Sequence, residues 1–184
     1  MDLFSANQLM WAAFIIGNSL PFFFIIFYKA QKISSELFTL YFLGVLVGLT
    51  WEIPFALAGK SFHLILIDWP IDLPLVRNIT YSFIDGLIFI VGILLAKVFL
   101  KNKNFLYEFD AKALSIMIIW GSVSEFLVDL NGNGKLWLFI DNWYNPVFIT
   151  INGNGLTIIP QLIWFIAPIV YYLVILNYKG FEAE

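Results

Sequence analysis

The chain has 184 residues, of which 61% are hydrophobic and only 12% are charged. Soluble domains are closer to half apolar and a quarter charged, so this composition excludes an ordinary soluble protein and indicates a polytopic membrane protein. The small net charge of -3 argues against a nucleic-acid partner, and the lack of cysteine excludes disulfides and thiolate chemistry.

Five apolar runs are long enough to cross a bilayer, which takes roughly 20 helical residues. In chain order these runs cover residues 8–28, 37–58, 79–100, 112–130 and 156–177. The sequence therefore predicts an all-α integral membrane protein, in which five transmembrane helices form one bundle. We expect a single domain over residues 1–184.

Lysine and arginine residues are divided unevenly between the two ends of these predicted helices. One end has Lys29, Lys32, Lys97, Lys101, Lys103, Lys112 and Lys179, and the other has Lys60, Arg77 and Lys135. Because cytoplasmic loops carry the excess of positive charge, we expect the N-terminus outside or in the lumen and the C-terminus in the cytoplasm. The membrane would be the endoplasmic reticulum in a eukaryote and the plasma membrane in a prokaryote.

Glu52 lies inside the second apolar run, which contains neither lysine nor arginine. A charge in hydrocarbon costs roughly 2.5–3.5 kcal/mol even on lenient insertion scales, so such an acid suggests a function. In the expected orientation, three further acids fall in the same outer layer as Glu52. These are Asp85, Glu125 and Asp129. The sequence predicts that they share one polar pocket that opens outward.

The predicted pocket has the residues for acid–base chemistry. No cation is available within the predicted spans, and burial of several carboxyl groups together favours protonation of at least one. A neutral carboxylic acid beside an ionised one can donate a proton to a substrate. We predict Glu52 as the leading donor and Asp85 and Glu125 as candidates for the second acid or base, with the roles of Glu52 and Asp85 exchangeable.

Other side chains at the same depth are candidates for binding the substrate. Trp51, Tyr81 and Trp164 would form an aromatic wall that stabilises a cation. Gln161 would orient an acid or a water molecule, and Asp129 would contact the substrate at the outer end of its helix.

Two short motifs admit a second interpretation. Residues 129–134 match the first half of a calcium loop, but position twelve is Ile140 where a glutamate belongs. We therefore favour a helix-ending turn and predict no metal site. Gly44 and Gly48 have the small-xxx-small spacing, for which we favour packing inside the bundle over a homodimer face.

Several of these residues resemble a known family. The segment from Gln161 through Trp164 to Pro168 resembles the last-span motif Asn-x-x-Trp-x-x-x-Pro of the emopamil-binding, or EXPERA, sterol isomerases. Asn78-Ile-Thr80 followed by Asp85 is similar to the start of their third span, and Glu52 falls where their second-span glutamate stands. One turn earlier the isomerases have a histidine, whereas this chain has Gly48.

A shorter resemblance is to the small membrane terpene cyclases, whose Trp-Glu motif is similar to Trp51-Glu52 and whose neighbouring acid is similar to Asp85. Both resemblances imply the same chemistry. A carboxylic acid protonates an alkene or epoxide, and a carbocation forms in an apolar cavity. Loss of a proton then gives a shifted double bond or a new ring.

These observations predict a cofactor-independent membrane enzyme of isoprenoid metabolism, either an isomerase or a cyclase. Its substrate would be a sterol or terpenoid, and its partners would be this hydrophobic molecule and membrane lipids. The alternative is a lipid- or amine-binding protein, or a cation- or proton-coupled transporter, that uses the same acids. A third hypothesis is a structural or lipid-sensing protein. A transporter would need the polar path to continue towards the cytoplasm.

Overall fold

A computed structural model describes residues 5–71, 73–100, 104–151 and 153–182. The chain is mostly helical, and its five long helices are α1 (Ala6–Lys29), α2 (Ser35–Ala58), α3 (Pro74–Phe99), α4 (Ala111–Gly132) and α5 (Ile158–Glu182). Each is long and apolar enough to cross a membrane. The five predicted runs are thus confirmed as helices, although α3 begins at Pro74 instead of residue 79. Lys101 and Lys103 lie outside the described residues.

Local sequence explains where these helices begin and end. The hydroxyl of Ser34 accepts a hydrogen bond from the third residue of α2, and the carboxylate of Asp110 accepts two from the first turn of α4. Pro74 stands at the first position of α3, where its missing N–H costs nothing. Gly59 ends α2 with a φ of 55°, a left-handed value that favours glycine.

The apolar surface of the bundle faces both inward and outward. Tyr41, Phe89 and Tyr171 belong to a continuous core between the helices. On the outer face of α1, large side chains such as Ile15 and Phe22 are more than half exposed. A soluble protein rarely shows apolar patches of this extent, so the outward faces suit a lipid environment. In this bundle α3 is central, because it packs against α1, α2 and α4, while α5 packs against α4 and α2.

Polar tips within the core donate hydrogen bonds to backbone carbonyls. The hydroxyl of Tyr171 donates to the carbonyl of Leu40 at 2.8 Å, and the indole of Trp120 donates to the carbonyl of Ile88 at 2.9 Å. These bonds join α5 to α2 and α4 to α3. They let large amphipathic side chains fill the core without leaving a buried donor unpaired.

The small-xxx-small pattern on α2 is used inside the bundle, as we favoured. A Cβ atom on Gly44 would lie 3.1 Å from the Cα of Gly86 and 3.1 Å from the ring of Phe89. A Cβ atom on Gly48 would meet Asp85 and Ser82. The two glycines therefore allow α2 and α3 to approach closely.

The all-α prediction needs one addition, since two pairs of short strands lie in the loops at one end of the bundle. Strand β1 (His63–Ile65) pairs antiparallel with β2 (Trp137–Phe139), and β3 (Val147–Ile151) pairs antiparallel with β4 (Asn154–Thr157). The β1–β2 pair links the α2–α3 loop to the α4–α5 loop. We call these four strands the strand cap.

Two buried asparagines brace the strand cap. The amide of Asn133 donates to the carbonyl of Gly155 at 2.6 Å and accepts from the backbone of Phe139 at 3.3 Å. Asn145 donates to the carbonyl of Ile140 at 3.2 Å and accepts from the backbone of Ile159 at 2.9 Å. The cap is therefore tied to the first turn of α5.

Candidate functional site

A cavity of about 280 Å³ lies between the cap ends of the five helices. All four predicted acids line it, namely Glu52, Asp85, Glu125 and Asp129. The cavity reaches no deeper along α3 than Ile88, near the middle of that helix. The structure thus brings the acids together at one end of the bundle; their chemical roles remain predictions.

The acids lie at different depths below the strand cap. At a rise of about 1.5 Å per residue, Asp129 is roughly 4–5 Å from the cap end of α4, whereas Glu125 is roughly 10 Å from it. Glu52 is about 9 Å from the cap end of α2. Asp85 is about 16 Å from the start of α3, and its neighbours Ile84 and Ile88 are apolar. Measured along its own helix, Asp85 is therefore the farthest of the four acids from the cap end.

Glu52 is held by a chain of side chains that the sequence did not suggest. The Nδ2 atom of Asn78 donates to Oε2 of Glu52 at 2.6 Å, and Nε of Arg77 donates to Oδ1 of Asn78 at 3.3 Å. Arginine can only donate, so Arg77 fixes the amide of Asn78 with its N–H groups towards Glu52. Because Oε2 of Glu52 accepts this bond, any proton on Glu52 would sit on Oε1.

The expectation that no cation lies within the spans is wrong. Arg77 was assigned to the outer loop because a charged residue normally ends an apolar run. Instead α3 extends back to Pro74, and Arg77 is only 8% exposed in its first turn. The neighbouring Asn78 is 1% exposed. Had the third predicted helix been started one turn earlier, Arg77 and Asn78 would have been placed on the same helix as Asp85 and near the level of Glu52.

Asp85 occupies a niche that Gly48 provides. A Cβ atom at position 48 would lie 2.8 Å from Oδ2 and 3.1 Å from Cβ of Asp85. Asp85 is 6% exposed, and Oδ2 has no hydrogen-bond partner among the residues that the structure describes. Buried polar atoms are nearly always hydrogen-bonded. An unpartnered carboxyl oxygen beside a cavity is therefore a candidate group for chemistry.

Asp129 is fully paired, unlike Asp85. Its Oδ1 accepts from the indole of Trp137 at 3.3 Å, and its Oδ2 accepts from the amide of Gln161 at 3.1 Å. Gln161 therefore orients an acid, as predicted, although it is Asp129 and not one of the three predicted catalytic acids. Asp129 is 1% exposed, so it is a buried brace between α4, α5 and the strand cap.

The calcium-loop interpretation does not fit the structure. Helix α4 continues through Gly132, and Asn133 ends it in extended backbone before Gly134 turns with a φ of 78°. The first positions of the motif are therefore helical, and the motif marks a helix-ending turn. No cluster of three or more potential ligands for a metal ion occurs among the described residues.

Aromatic side chains at the predicted wall come from three helices, since Trp51 lies on α2, Tyr81 and Phe89 lie on α3, and Trp164 lies on α5. The rings of Trp51 and Trp164 meet edge to face with their centroids 5.7 Å apart, and Phe89 stacks on Trp164 at 5.5 Å. Trp51 and Trp164 both line the cavity. Tyr81 also lines it, and its buried hydroxyl has no partner in the described part of the chain. Aromatic faces beside carboxyl groups suit a positively charged centre.

His63 is a further cavity residue to which the sequence assigned no role. It lies on β1, is 7% exposed and stacks on Phe139 with the ring centroids 4.7 Å apart. Burial, with a smaller effect from the charge of Arg77, lowers the pKa of His63 to about 3. In the sequence, the apolar residues Leu64, Ile65 and Leu66 that follow His63 are only a weak signal of its burial.

Taken together, the helices and the cavity define a membrane-embedded bundle with an acidic, aromatic-walled cavity under a strand cap. No protein-family model, curated protein or solved structure matches the chain. The resemblance to the EXPERA family accordingly remains an expectation carried by the few residues named above.

Proposed function

We propose that this protein is an integral membrane enzyme that protonates an alkene or epoxide of an isoprenoid-type substrate. The convergence of Glu52, Asp85 and Glu125 on one cavity supports the proposal, because these acids come from three separate helices. The wall formed by Trp51 and Trp164 adds the surface that a carbocation needs. The reaction is an isomerisation or a cyclisation and uses the chain's own carboxyl groups.

The hydrogen bonds suggest how the roles divide between the acids. Glu52 is held by Asn78, whereas Oδ2 of Asp85 has no partner within the described residues. We therefore propose Asp85 as the proton donor in place of Glu52, which was the leading candidate from the sequence. A held glutamate is suited to fix the position of a cation and to accept a proton.

The proposed reaction needs no net change in protons. Asp85 gives a proton to one alkene carbon, which forms a C–H bond and leaves the positive charge on the neighbouring carbon. Glu52 or Glu125 then removes a proton from an adjacent carbon, and a shifted double bond forms. In a cyclisation, a second alkene of the substrate attacks the cation before the proton is lost.

The volume of the cavity narrows the substrate class. Ligand pockets are typically about 300–1,000 Å³, and an apolar cavity of about 150 Å³ holds benzene. A cavity of about 280 Å³ therefore suits on the order of ten carbon atoms. This size favours a short prenyl chain, or one segment of a longer chain, over a complete polycyclic sterol.

A second function, binding of an amphipathic amine, is favoured by the charge of the cavity. Four acids line it, and Asn78 links Arg77 to one of them, Glu52. Transport has less support, because the cavity ends near the middle of the bundle. Deuterium labelling separates catalysis from binding, since a protein that only binds makes no new C–H bond.

The membrane orientation is part of the proposal. The strand cap and the cavity would face the outside or the lumen, and the ends of α1 and α5 would face the cytoplasm. The chain has no cysteine, so single cysteines report cleanly on each side. Trp143 is 91% exposed in the loop between β2 and β3. In sealed cells, Trp143→Cys should react with an impermeant maleimide, and Tyr107→Cys at the opposite end of the bundle should not. The reverse labelling pattern would show that the orientation is inverted.

The central experiment follows deuterium from solvent into carbon. The full chain, reconstituted in lipid vesicles, is incubated in D₂O with short prenyl alkenes, because protonation of an epoxide would place the deuterium on an exchangeable hydroxyl oxygen. We expect deuterium at carbon in the product, and Asp85→Asn should lower its rate of incorporation by roughly 10²-fold or more. Glu36→Gln is the matched control, because Glu36 pairs with Lys97 at the opposite end of the bundle. Incorporation that is equal in Asp85→Asn and the unaltered chain would remove Asp85 from the reaction.

A further inference from the structure

His63 is buried at the cavity and has no hydrogen-bond partner among the described residues. Both ring nitrogens are enclosed and unpaired among the residues that the structure describes. The stacking on Phe139, with an interplanar angle of 16°, explains the position of the ring but does not satisfy either nitrogen. Because buried polar atoms are nearly always hydrogen-bonded, the imidazole needs a partner, and the cavity that His63 lines is the space from which a ligand would supply one.

The chemistry of His63 restricts what that partner is. With its pKa lowered to about 3, the ring is neutral near pH 7 and offers one N–H donor and one nitrogen acceptor. A hydroxyl group matches this pair, since it also both donates and accepts. A cationic head group fits poorly, because the charge of Arg77 acts on His63 at this end of the cavity.

The position of His63 also sets the direction of a ligand. His63 belongs to the strand cap, whereas Trp51, Trp164 and Asp85 line the cavity farther along their helices. An amphiphile would place its polar end at the cap and its apolar chain among the tryptophans. This arrangement brings an alkene to the acids while the hydroxyl stays at the cap end.

We propose that His63 binds the hydroxyl group of a prenyl-type alcohol and thereby sets the orientation of the substrate in the cavity. This inference rests on the proposed function for the alkene part of the substrate. It adds a polar head group to the substrate class and assigns recognition of that group to the strand cap.

The test compares geraniol, a prenyl alcohol of two isoprene units, with the same hydrocarbon lacking the hydroxyl group. The full chain in detergent micelles is equilibrated with each compound, and the amount of compound bound is measured by gas chromatography. The amount taken up by micelles without protein is subtracted. The unaltered protein should prefer the alcohol. His63→Phe keeps the stacking on Phe139 but removes both nitrogens, so it should weaken binding of the alcohol about tenfold and leave the hydrocarbon unchanged.

Further variants make the result specific. His63→Gln retains a donor and an acceptor and should recover most of the preference, while Lys60→Gln, at an exposed position before β1, should not alter it. Tyr81→Phe removes the hydroxyl of Tyr81, another cavity group that has no partner among the described residues. Loss of the preference in Tyr81→Phe but not in His63→Phe would transfer the role to Tyr81 and overturn the proposal.

Three more outcomes would overturn it. In the first, the unaltered protein shows no preference for the alcohol. In the second, His63→Phe retains the full preference. In the third, His63→Phe weakens binding of the alcohol and of the hydrocarbon equally. The second would mean that water satisfies His63, and the third that only the cavity shape changed. Because binding is measured without turnover, these outcomes are distinct from a failure to incorporate deuterium, which would refute the enzyme and leave the hydroxyl site intact.

Discussion

The contact between Gly48 and Asp85 gives the sharpest prediction. Gly48→Ala places a methyl group 2.8 Å from Oδ2 and 3.1 Å from Cβ of Asp85, and 3.3 Å from the Cα of Ser82. Ordinary contacts between such atoms are about 3.5–4.0 Å, so the acid or its helix has to move by roughly 0.5–1 Å. Gly44→Ala, one turn earlier, crowds Gly86 and Phe89 at 3.1 Å but touches no acid. It is therefore a matched control.

The expected magnitudes differ between stability and activity. Overpacking costs about 1–3 kcal/mol, and replacement of glycine by alanine in a helix returns about 1 kcal/mol. Both variants should therefore lose about 0–2 kcal/mol of unfolding free energy. A displacement of about 1 Å at a reacting group can cost on the order of 10²-fold in rate, and this loss is expected only for Gly48→Ala.

Two assays separate these effects. Unfolding by SDS in mixed micelles measures the stability of each variant, and deuterium incorporation in D₂O measures its chemistry. We expect the two variants to have similar unfolding free energies, and only Gly48→Ala to lose deuterium incorporation. If both variants lose incorporation equally, or if neither does, the niche at Gly48 has no specific part in positioning Asp85.

Three further predictions concern single side chains, and each is measured by unfolding in mixed micelles. Asn78→Ala removes the hydrogen bond to Glu52 and should lower the unfolding free energy by about 1–3 kcal/mol; an unchanged value would mean that Glu52 is held by other groups. Because burial lowers the pKa of His63 from 6.5 to about 3, the unfolded state binds this proton more readily. Stability should therefore fall as the pH drops from 6.5 towards 3, by up to about 1.4 kcal/mol per pH unit, and His63→Phe should flatten the dependence; an identical slope in that variant would assign it to other groups. Tyr171→Phe removes the fully buried bond to the carbonyl of Leu40 and should cost about 0.5–1.5 kcal/mol; no loss would mean that this bond adds nothing to helix packing.

The helices could be predicted from sequence because a bilayer imposes one strong length requirement. An uninterrupted apolar run near 20 residues has few alternatives to a helix. The grouping of Glu52, Asp85, Glu125 and Asp129 followed from the same requirement, since alternating directions bring these residues to the same end of the bundle. Only the order of the helices was needed for this prediction. Successive helices run in opposite directions, so the helix ends that carry the acids meet at one end of the bundle.

The strand cap and the hydrogen bonds from Arg77 through Asn78 to Glu52 could not be predicted in this way. Strand β1 pairs with β2 across a separation of more than seventy residues, and three-residue strands leave too little pattern to recognise. Arg77 was misplaced because charge normally marks the end of an apolar run. Its burial depends on tertiary partners, with Asn78 between it and Glu52, and these partners are known only once the helices are packed.

The geometry at position 48 bears directly on the resemblance to the sterol isomerases. Those proteins have a histidine one turn before the second-span glutamate, where this chain has Gly48. Here the side chain of Asp85 fills the space beside Gly48, so an imidazole at position 48 and the present position of Asp85 exclude each other. In this chain the space beside position 48 holds the carboxyl group of Asp85, so a larger side chain at position 48 would require Asp85 to move. If Gly48→His is tolerated only together with Asp85→Ala, then the space between α2 and α3 holds one functional side chain at a time.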